Sequence, residues 1–148
     1  MASYTSPVTR DRITKQLKAM SFKAAVLDDV TVLLPIGPHL FRIQLANNAA
    51  FLMISAPWHR LASISCRDEL EAFCAKTNVG MFAPKAYTRA EDDGTVLVIA
   101  ESNHIITHGL TDTQLNKLLS DCLQEFHIFF NHLTQDFPDI RLHPESAS

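Results

Sequence analysis

Glycine is scarce in this chain, and its scarcity limits the chemistry that the sequence can support. The four glycines among 148 residues are isolated from one another, so no glycine-rich loop is available to hold a phosphate. Each is more typical of a turn or a helix end. A G-x-S-x-G pattern is also absent, which removes the usual mark of a nucleophile elbow. The sequence therefore displays no catalytic motif, and we expect no enzyme.

Cysteine is nearly as scarce. Cys66, Cys74 and Cys122 form no C-x-x-C pair, and an odd number cannot pair completely within one chain. Their neighbours are the apolar residues of predicted helices, which favours reduced, partly buried thiols. A catalytic pair of Cys74 with His59 would depend entirely on the fold.

The histidines lack the spacing of a metal site. His127 and His132 are five residues apart and diverge by about 140° on a helix. His104 and His108 have no cysteine or carboxylate at ligand spacing. We therefore expect no metal and no other cofactor.

Long hydrophobic runs are missing too. The longest, such as the one at 49–54, are too short to cross a bilayer, and the N-terminus does not resemble a signal peptide. We therefore expect a cytoplasmic protein that does not bind membranes. With 47% hydrophobic residues and a mean hydropathy of +0.03, it should be one globular domain over residues 7–138 with apolar surface for a partner. Residues 1–6 and 139–148 are predicted to be flexible termini.

Charge is low overall but uneven. A net charge of −3 argues against nucleic-acid binding. Residues 1–23 nevertheless carry five basic side chains against one acid, whereas residues 112–148 carry six acids against two bases. Two interpretations remain open, namely solvated helix faces or electrostatic docking between the chain ends or between subunits.

The first half of the chain predicts a helix followed by a meander of strands. Ser6-Pro7 is expected to open a helix over about residues 7–20. Strands follow at 24–27 and 30–34, and Pro35–Pro38 interrupts them. Residues 39–46 alternate cleanly, and Asn47-Asn48 suits a two-residue turn. The run at 49–54 is apolar on both faces, which predicts a central strand covered on each side.

The second half predicts a helix, a hairpin and a long helix. Ser65 should cap the helix that Asn78 and Gly80 end, and Asp92-Asp93-Gly94 should join strands 85–91 and 95–101. Thr111 and Gln114 form a capping box for a helix that Pro138 stops. The resulting class is a single α+β domain, with an antiparallel sheet of about five strands and three helices in the order α-β-β-β-α-β-β-α.

Four residues are candidates for binding a partner. Trp58 either packs under the second helix or forms an exposed anchor. Lys85, Tyr87 and Arg89 alternate onto one face of a strand, where they would suit an acidic peptide or an anionic ligand if that face is open. Otherwise the two cations simply solvate the sheet.

Several of these segments resemble a known family. The run Pro84-Lys85-Ala86-Tyr87, followed by 92–94 and 109–115, is similar to YbjN-domain proteins, particularly their actinobacterial members. Supporting matches at 9–13, Trp58 and Asn78 extend the resemblance over roughly residues 7–138. It implies a fold like that of type III secretion chaperones, which bind partner polypeptides as dimers, and a regulatory role without an established reaction.

Three hypotheses about function follow. The first is a non-enzymatic protein-interaction or chaperone-like regulatory module, expected to form a homodimer and to bind an unidentified protein partner. The second is a regulatory domain that binds a small ligand in a pocket between the C-terminal helix and the sheet. An enzyme is the third, and the resemblance supplies no catalytic residues for it.

Overall fold

The computed structural model describes residues 5–81 and 83–138. The predicted flexible termini are 1–6 and 139–148, of which residues 1–4 and 139–148 lie outside the described residues. The elements, in chain order, are α1 (Arg10–Ala19), β1 (Ala25–Val26), β2 (Thr31–Ile36), β3 (His39–Ala46), β4 (Phe51–Pro57), β5 (Ala62–Ser63), α2 (Arg67–Gly80), β6 (Lys85–Ala90), β7 (Thr95–Ile105) and α3 (Asp112–Asp136).

The strands form one seven-stranded sheet in the order β1-β2-β3-β4-β7-β5, and β6 also pairs with β7. The following strands pair in antiparallel fashion: β1 with β2, β2 with β3, β3 with β4, and β7 with both β5 and β6. This confirms the predicted α+β class with three helices. The expected number of about five strands was wrong. Strand β1 lies within the strand predicted at 24–27, whereas β5 has only two residues, too few to leave a periodic signal.

The described residues form two compact units. The first comprises the chain up to Ser55 together with Ser102–Leu123, and the second comprises Ala56–Glu101 with the residues from Gln124 onward. Both units draw on β4, β7 and α3, so the boundaries fall inside these elements and not in linkers.

In the first unit, alternation along the strands separates two faces of the sheet. Ile43 pairs with Val32 on one side and with Ile54 on the other, and all three are fully buried. We call their side the inner face. Helix α1 packs against β2 in this unit and buries Ile13 and Leu17.

The opposite side of β2–β4 is uncovered, and we call it the outer face. Apart from the buried Thr31, its residues alternate with those of the inner face and are half-buried or exposed: Leu33, Pro35, Leu40, Arg42, Gln44, Ala46, Phe51, Met53 and Ser55. The prediction that β4 is covered on both sides was therefore wrong, since its apolar residues fill the core on one side only.

Helix α1 begins later than the sequence predicted. Thr9, not Ser6, is its cap, because the Thr9 hydroxyl accepts a hydrogen bond from the Arg12 amide at 3.2 Å. Ser6 instead exchanges backbone hydrogen bonds with Leu110 in an isolated β-bridge.

Two turns in the meander also differ from expectation. Strand β2 continues through Pro35 and Ile36 before turning at Gly37, whose φ is +57°. Beyond Leu33, β2 pairs only with β3, and an edge position tolerates a residue without an N–H. The next turn spans four residues, 47–50, and not two, with positive φ at Asn47, Asn48 and Ala49.

In the second unit, α2 packs against β6, and its Phe73 lies 6.0 Å from Phe129 and 5.7 Å from Phe137 between ring centres. A single 3₁₀ turn, Ile64–Cys66, precedes α2. Ser63 accepts the Ser65 amide there, so Ser65 is not the cap of α2. The predicted end of the helix near Asn78 and Gly80 agrees with its last residue, Gly80.

The long helix α3 agrees with its predicted bounds. The Thr111 hydroxyl accepts from the Gln114 amide at 3.1 Å, and the Gln114 side chain accepts from the Thr111 amide at 2.8 Å. These two bonds are the reciprocal pair of a capping box. Most of the predicted apolar stripe is buried: Leu115, Leu119, Cys122, Leu123, Phe126, Phe129, Phe130 and Leu133.

Candidate functional site

The predicted strip on β6 is on the surface of the second unit. Lys85, Tyr87 and Arg89 are all exposed on the same side of the strand, whereas Ala86 between them is buried. Asn78 of α2 holds both backbone groups of Ala86, accepting from its N–H and donating to its C=O at 2.8 Å each. The Asn78 amide therefore occupies the open side of β6 at this point, where another strand could otherwise pair.

Each polar group of the strip already has a partner in the chain. The Lys85 ammonium donates to the carbonyls of Asn78 at 2.8 Å and Met81 at 3.3 Å, at the C-terminal end of α2. Arg89 donates to the Glu91 carboxylate at 2.9 Å. A cation at a helix C-terminus is favourable, so an incoming anion would have to compete with these contacts.

Tyr87 has a partner of its own. Its hydroxyl donates to the Glu101 carboxylate at 3.4 Å, and partial burial, with the Glu101 charge second, raises the pKa of Tyr87. The strip is thus open, but its donors are engaged. A binding role for Lys85, Tyr87 and Arg89 stays a prediction.

Trp58 is not an exposed anchor. Its side chain is 1% exposed, and its indole N–H donates to the Thr134 hydroxyl of α3 at 3.1 Å. The Arg60 guanidinium lies 5.8 Å from the ring centre, within cation–π range. The ring is a core residue of the second unit and cannot contact a partner in this conformation.

A cluster that the sequence did not reveal lies in the first unit. The His104 Nε2 is 2.7 Å from the Ser102 hydroxyl and 3.1 Å from the Cys122 thiol. Cys122 is 18 positions from His104, on α3, so no motif of fixed spacing could have found the pair. Burial lowers the pKa of His104, which favours its neutral form.

The cysteines agree with the expectation of free, buried thiols. Burial first, and then the neighbouring Glu71 charge, raises the pKa of Cys74 to about 11. That shift keeps Cys74 protonated near neutral pH and makes it a poor nucleophile. Within the described residues, no group of three or more histidine, cysteine or carboxylate side chains could hold a metal ion.

Arg12 joins the two ends of the first unit. It donates to the carbonyls of Ser6, Pro7 and Leu110 at 2.8, 2.9 and 2.6 Å, and pairs with the Asp112 carboxylate at 2.9 Å. Asp112 is the first residue of α3. One interpretation of the sequence was attraction between its basic N-terminal and acidic C-terminal segments. The ion pair of Arg12 with Asp112 is such a contact, and it forms within one chain.

The outer face has the composition of a contact surface. Leu33, Leu40, Phe51 and Met53 are its larger apolar side chains, and Arg42 is its only charged residue. Interface centres are depleted in charged residues generally, while methionine, arginine and aromatic residues are enriched there. Among the surfaces described, this one has the chemistry that suits a protein partner.

The helices and the antiparallel sheet define a class of small α+β domain, and comparison with known proteins identifies the family. The sequence profile of YbjN, described as "Putative bacterial sensory transduction regulator", matches residues 9–135. The chain belongs to the YbjN family, as its motifs indicated. No curated protein matches it.

A solved structure shares the fold. The "Crystal structure of YbjN, a putative transcription regulator from E. coli" superposes with a TM-score of 0.75 over 90% of this chain and 96% of that chain. The two sequences are 14% identical, so the likeness shows the fold alone. Among the described residues, no helix has the length and hydrophobicity to span a membrane.

Proposed function

We propose that this chain is a non-enzymatic regulatory module that acts by binding protein, and that its outer face binds a second copy of the chain. The observation that supports this most strongly is the uncovered apolar side of β2–β4. Membership of a family of proposed regulators is consistent with a binding role. The chaperone-like fold that the YbjN resemblance implies would also suit a dimer that binds protein.

A second copy is the occupant that the outer face suits best. In a two-fold dimer the same patch meets itself, so the patch must carry little charge of one sign. Arg42 is the single charge, and it has an acidic neighbour in its own chain. Hydrogen bonds from Val30 and Thr31 lower the pKa of the Asp28 carboxyl, and the charge of Arg42 lowers it further. The ionised Asp28 carboxylate therefore offsets part of the Arg42 charge.

A substitution on this surface tests the proposal. Leu40 is 49% exposed and lies opposite Pro35 in the hairpin of β2 and β3. We expect Leu40→Glu to convert the dimer to a monomer, because a buried, unpaired carboxylate is unfavourable at an interface. Sedimentation equilibrium at micromolar concentration measures this.

Val79→Glu is the matched control, since Val79 is 91% exposed on α2 in the second unit. It makes the same chemical change and should leave the dimer intact. If Leu40→Glu stays dimeric, the interface does not lie on the outer face. If both variants lose the dimer, the added charge alone is responsible.

The second candidate function, a ligand-binding regulatory domain, is favoured by one cavity. From the sequence we predicted a pocket between the C-terminal helix and the sheet, whereas this cavity is lined by α1 and the residues that follow it.

The predicted cytoplasmic location stays a prediction.

A further inference from the structure

An open groove of about 450 Å³ lies beside α1 in the first unit. It is lined by Thr14, Lys15, Lys18, Phe22, Lys23 and Ala24. We call it the lysine groove. It lies on α1 and the residues just after it, so it is separate from the outer face of β2–β4.

The end of α1 creates this groove. Ser21 adopts a left-handed conformation with φ of +68°, and its amide donates to the Lys18 carbonyl at 2.9 Å. The Phe22 amide donates to the Leu17 carbonyl at 2.9 Å. These two bonds form a Schellman motif, which reverses the chain at a helix end. Phe22 and Lys23 are thereby brought to the same cavity as Lys15 and Lys18.

Among residues 5–81 and 83–138, the basic side chains of this region that have no partner are those of the three lysines. Arg10 pairs with Asp11 at 3.2 Å, and Arg12 pairs with Asp112. The ammonium groups of Lys15, Lys18 and Lys23 form no ion pair or hydrogen bond within the part of the chain that the structure describes. The uneven charge noted in the sequence is thus concentrated, as unpaired ammonium groups, around one cavity.

The lining also contains no carboxylate. The C-terminal end of α1 opposes an anion with a partial charge of about −0.5, but three full positive charges outweigh it. The carbonyls of Gln16, Leu17 and Lys18 are also bonded to amides at the helix end, so they are not aimed at the groove as free acceptors. The net field in the groove favours an anion with several charges.

Phe22 adds a flat apolar surface to these charges. Its ring is half-buried, and it lines the same cavity as the lysines. Ammonium groups bind phosphate oxygens, and an aromatic side chain can stack against a nucleobase. We propose that the lysine groove is a binding site for a small polyphosphorylated nucleotide.

Isothermal titration of the full chain with ATP, free of divalent cations and at low salt, tests this proposal. We expect Lys15→Gln/Lys18→Gln to weaken ATP binding about tenfold or more, since hydrogen bonds to charged groups are among the stronger ones. The matched control is Lys76→Gln/Lys117→Gln, which changes the same number of exposed lysines on α2 and α3. The control should change the affinity by less than about twofold, because surface charges elsewhere act weakly.

Phe22→Leu distinguishes a nucleotide from other polyanions. It should weaken ATP binding about five- to a hundredfold, the range expected for losing one stacked base, and leave inorganic tripolyphosphate binding unchanged. Unchanged ATP affinity in this variant, or tripolyphosphate binding as tight as ATP, would contradict the nucleotide assignment.

Three other results would overturn the site. These are the absence of ATP binding at millimolar concentration, an equal loss of binding in both double-lysine variants, and tight binding of a single-stranded oligonucleotide in place of ATP. Circular dichroism of each variant shows that α1 is intact. Neither lysine pair lies on β2–β4, so both double variants should keep the oligomeric state of the wild type. Measuring that state in the same samples therefore shows whether a loss of ATP binding is independent of the outer face.

Discussion

The imidazole of His104 lies half-buried against Ser102 and Cys122, and its state makes the stability of the fold depend on pH. Burial lowers the pKa of His104 from its ordinary value of 6.5. As pH falls below about 6.5, the unfolded chain therefore takes up a proton at this residue before the folded chain does. Stability that is present above that pH is lost as the pH falls toward the lower pKa of the folded state.

We predict that the free energy of unfolding decreases between pH 7 and pH 5, and that His104→Gln removes part of this decrease. Urea titrations at several pH values measure it. His132→Gln, at an exposed position of α3, is the control and should keep the wild-type dependence. An unchanged slope in His104→Gln would show that other groups cause the pH dependence.

Gly109 shows a different residue-scale constraint, a close approach of two backbones. A Cβ added there would overlap the Ser6 carbonyl oxygen, and the φ of +74° is itself unfavourable for other residues. Gly94 has a similar φ of +83° but open space around it. Alanine substitutions at the two glycines therefore distinguish the energetic cost of steric overlap from the cost of the positive φ.

We expect Gly94→Ala to destabilise the fold by about 1 kcal/mol through the left-handed conformation alone. Gly109→Ala should cost about 1–3 kcal/mol more, because the overlap forces the backbone to shift. Chemical denaturation of both variants compares them. Equal losses would mean that the contact between Ser6 and Gly109 relaxes freely.

At the scale of elements, α3 is the best test of the packing. Phe126 is fully buried, and its ring lies 6.3 Å from that of Phe130 in an edge-to-face arrangement. We predict that Phe126→Ala costs about 3–5 kcal/mol, because it empties a core aromatic site. Thr111→Ala should cost only about 1 kcal/mol through loss of the cap. Denaturant titrations that gave the opposite order would contradict the assigned face of α3.

The elements that could be predicted from sequence are those with local signals. The capping box of α3 and the Asp-Asp-Gly hairpin each lie within a few residues, and both are present. The start of α1 was misplaced because Ser6 and Thr9 are both good caps, and the pairing of Ser6 with Leu110 decides between them. Strand β1 lies within the strand predicted at 24–27, whereas the two-residue strand β5 is too short for periodicity to reveal.

Features that depend on contacts between distant segments could not be predicted. The pairing of His104 with Cys122 joins a strand to a helix, and the anchoring of Trp58 by Thr134 spans 76 positions. The apolar residues on both sides of β4 were visible in the sequence. They cannot distinguish a strand buried on both faces from one that is buried on one face only.

For the whole molecule, the central claim is that the uncovered side of β2–β4 is where two copies meet. A specific dimer usually buries at least about 1,000 Å² of total surface, most of it apolar at the centre. In the proposed dimer, the outer face would supply that centre, with Arg42 as its single charge. The residues that line the lysine groove all belong to α1 or to the segment just after it, and none lies on β2–β4.

Multi-angle light scattering of the wild-type chain, over a concentration series in the micromolar range, tests this claim most directly. We predict a mass of twice 16.5 kDa, the mass of one chain, that falls only on strong dilution. A mass of 16.5 kDa at every concentration would contradict the dimer and the role assigned to the outer face.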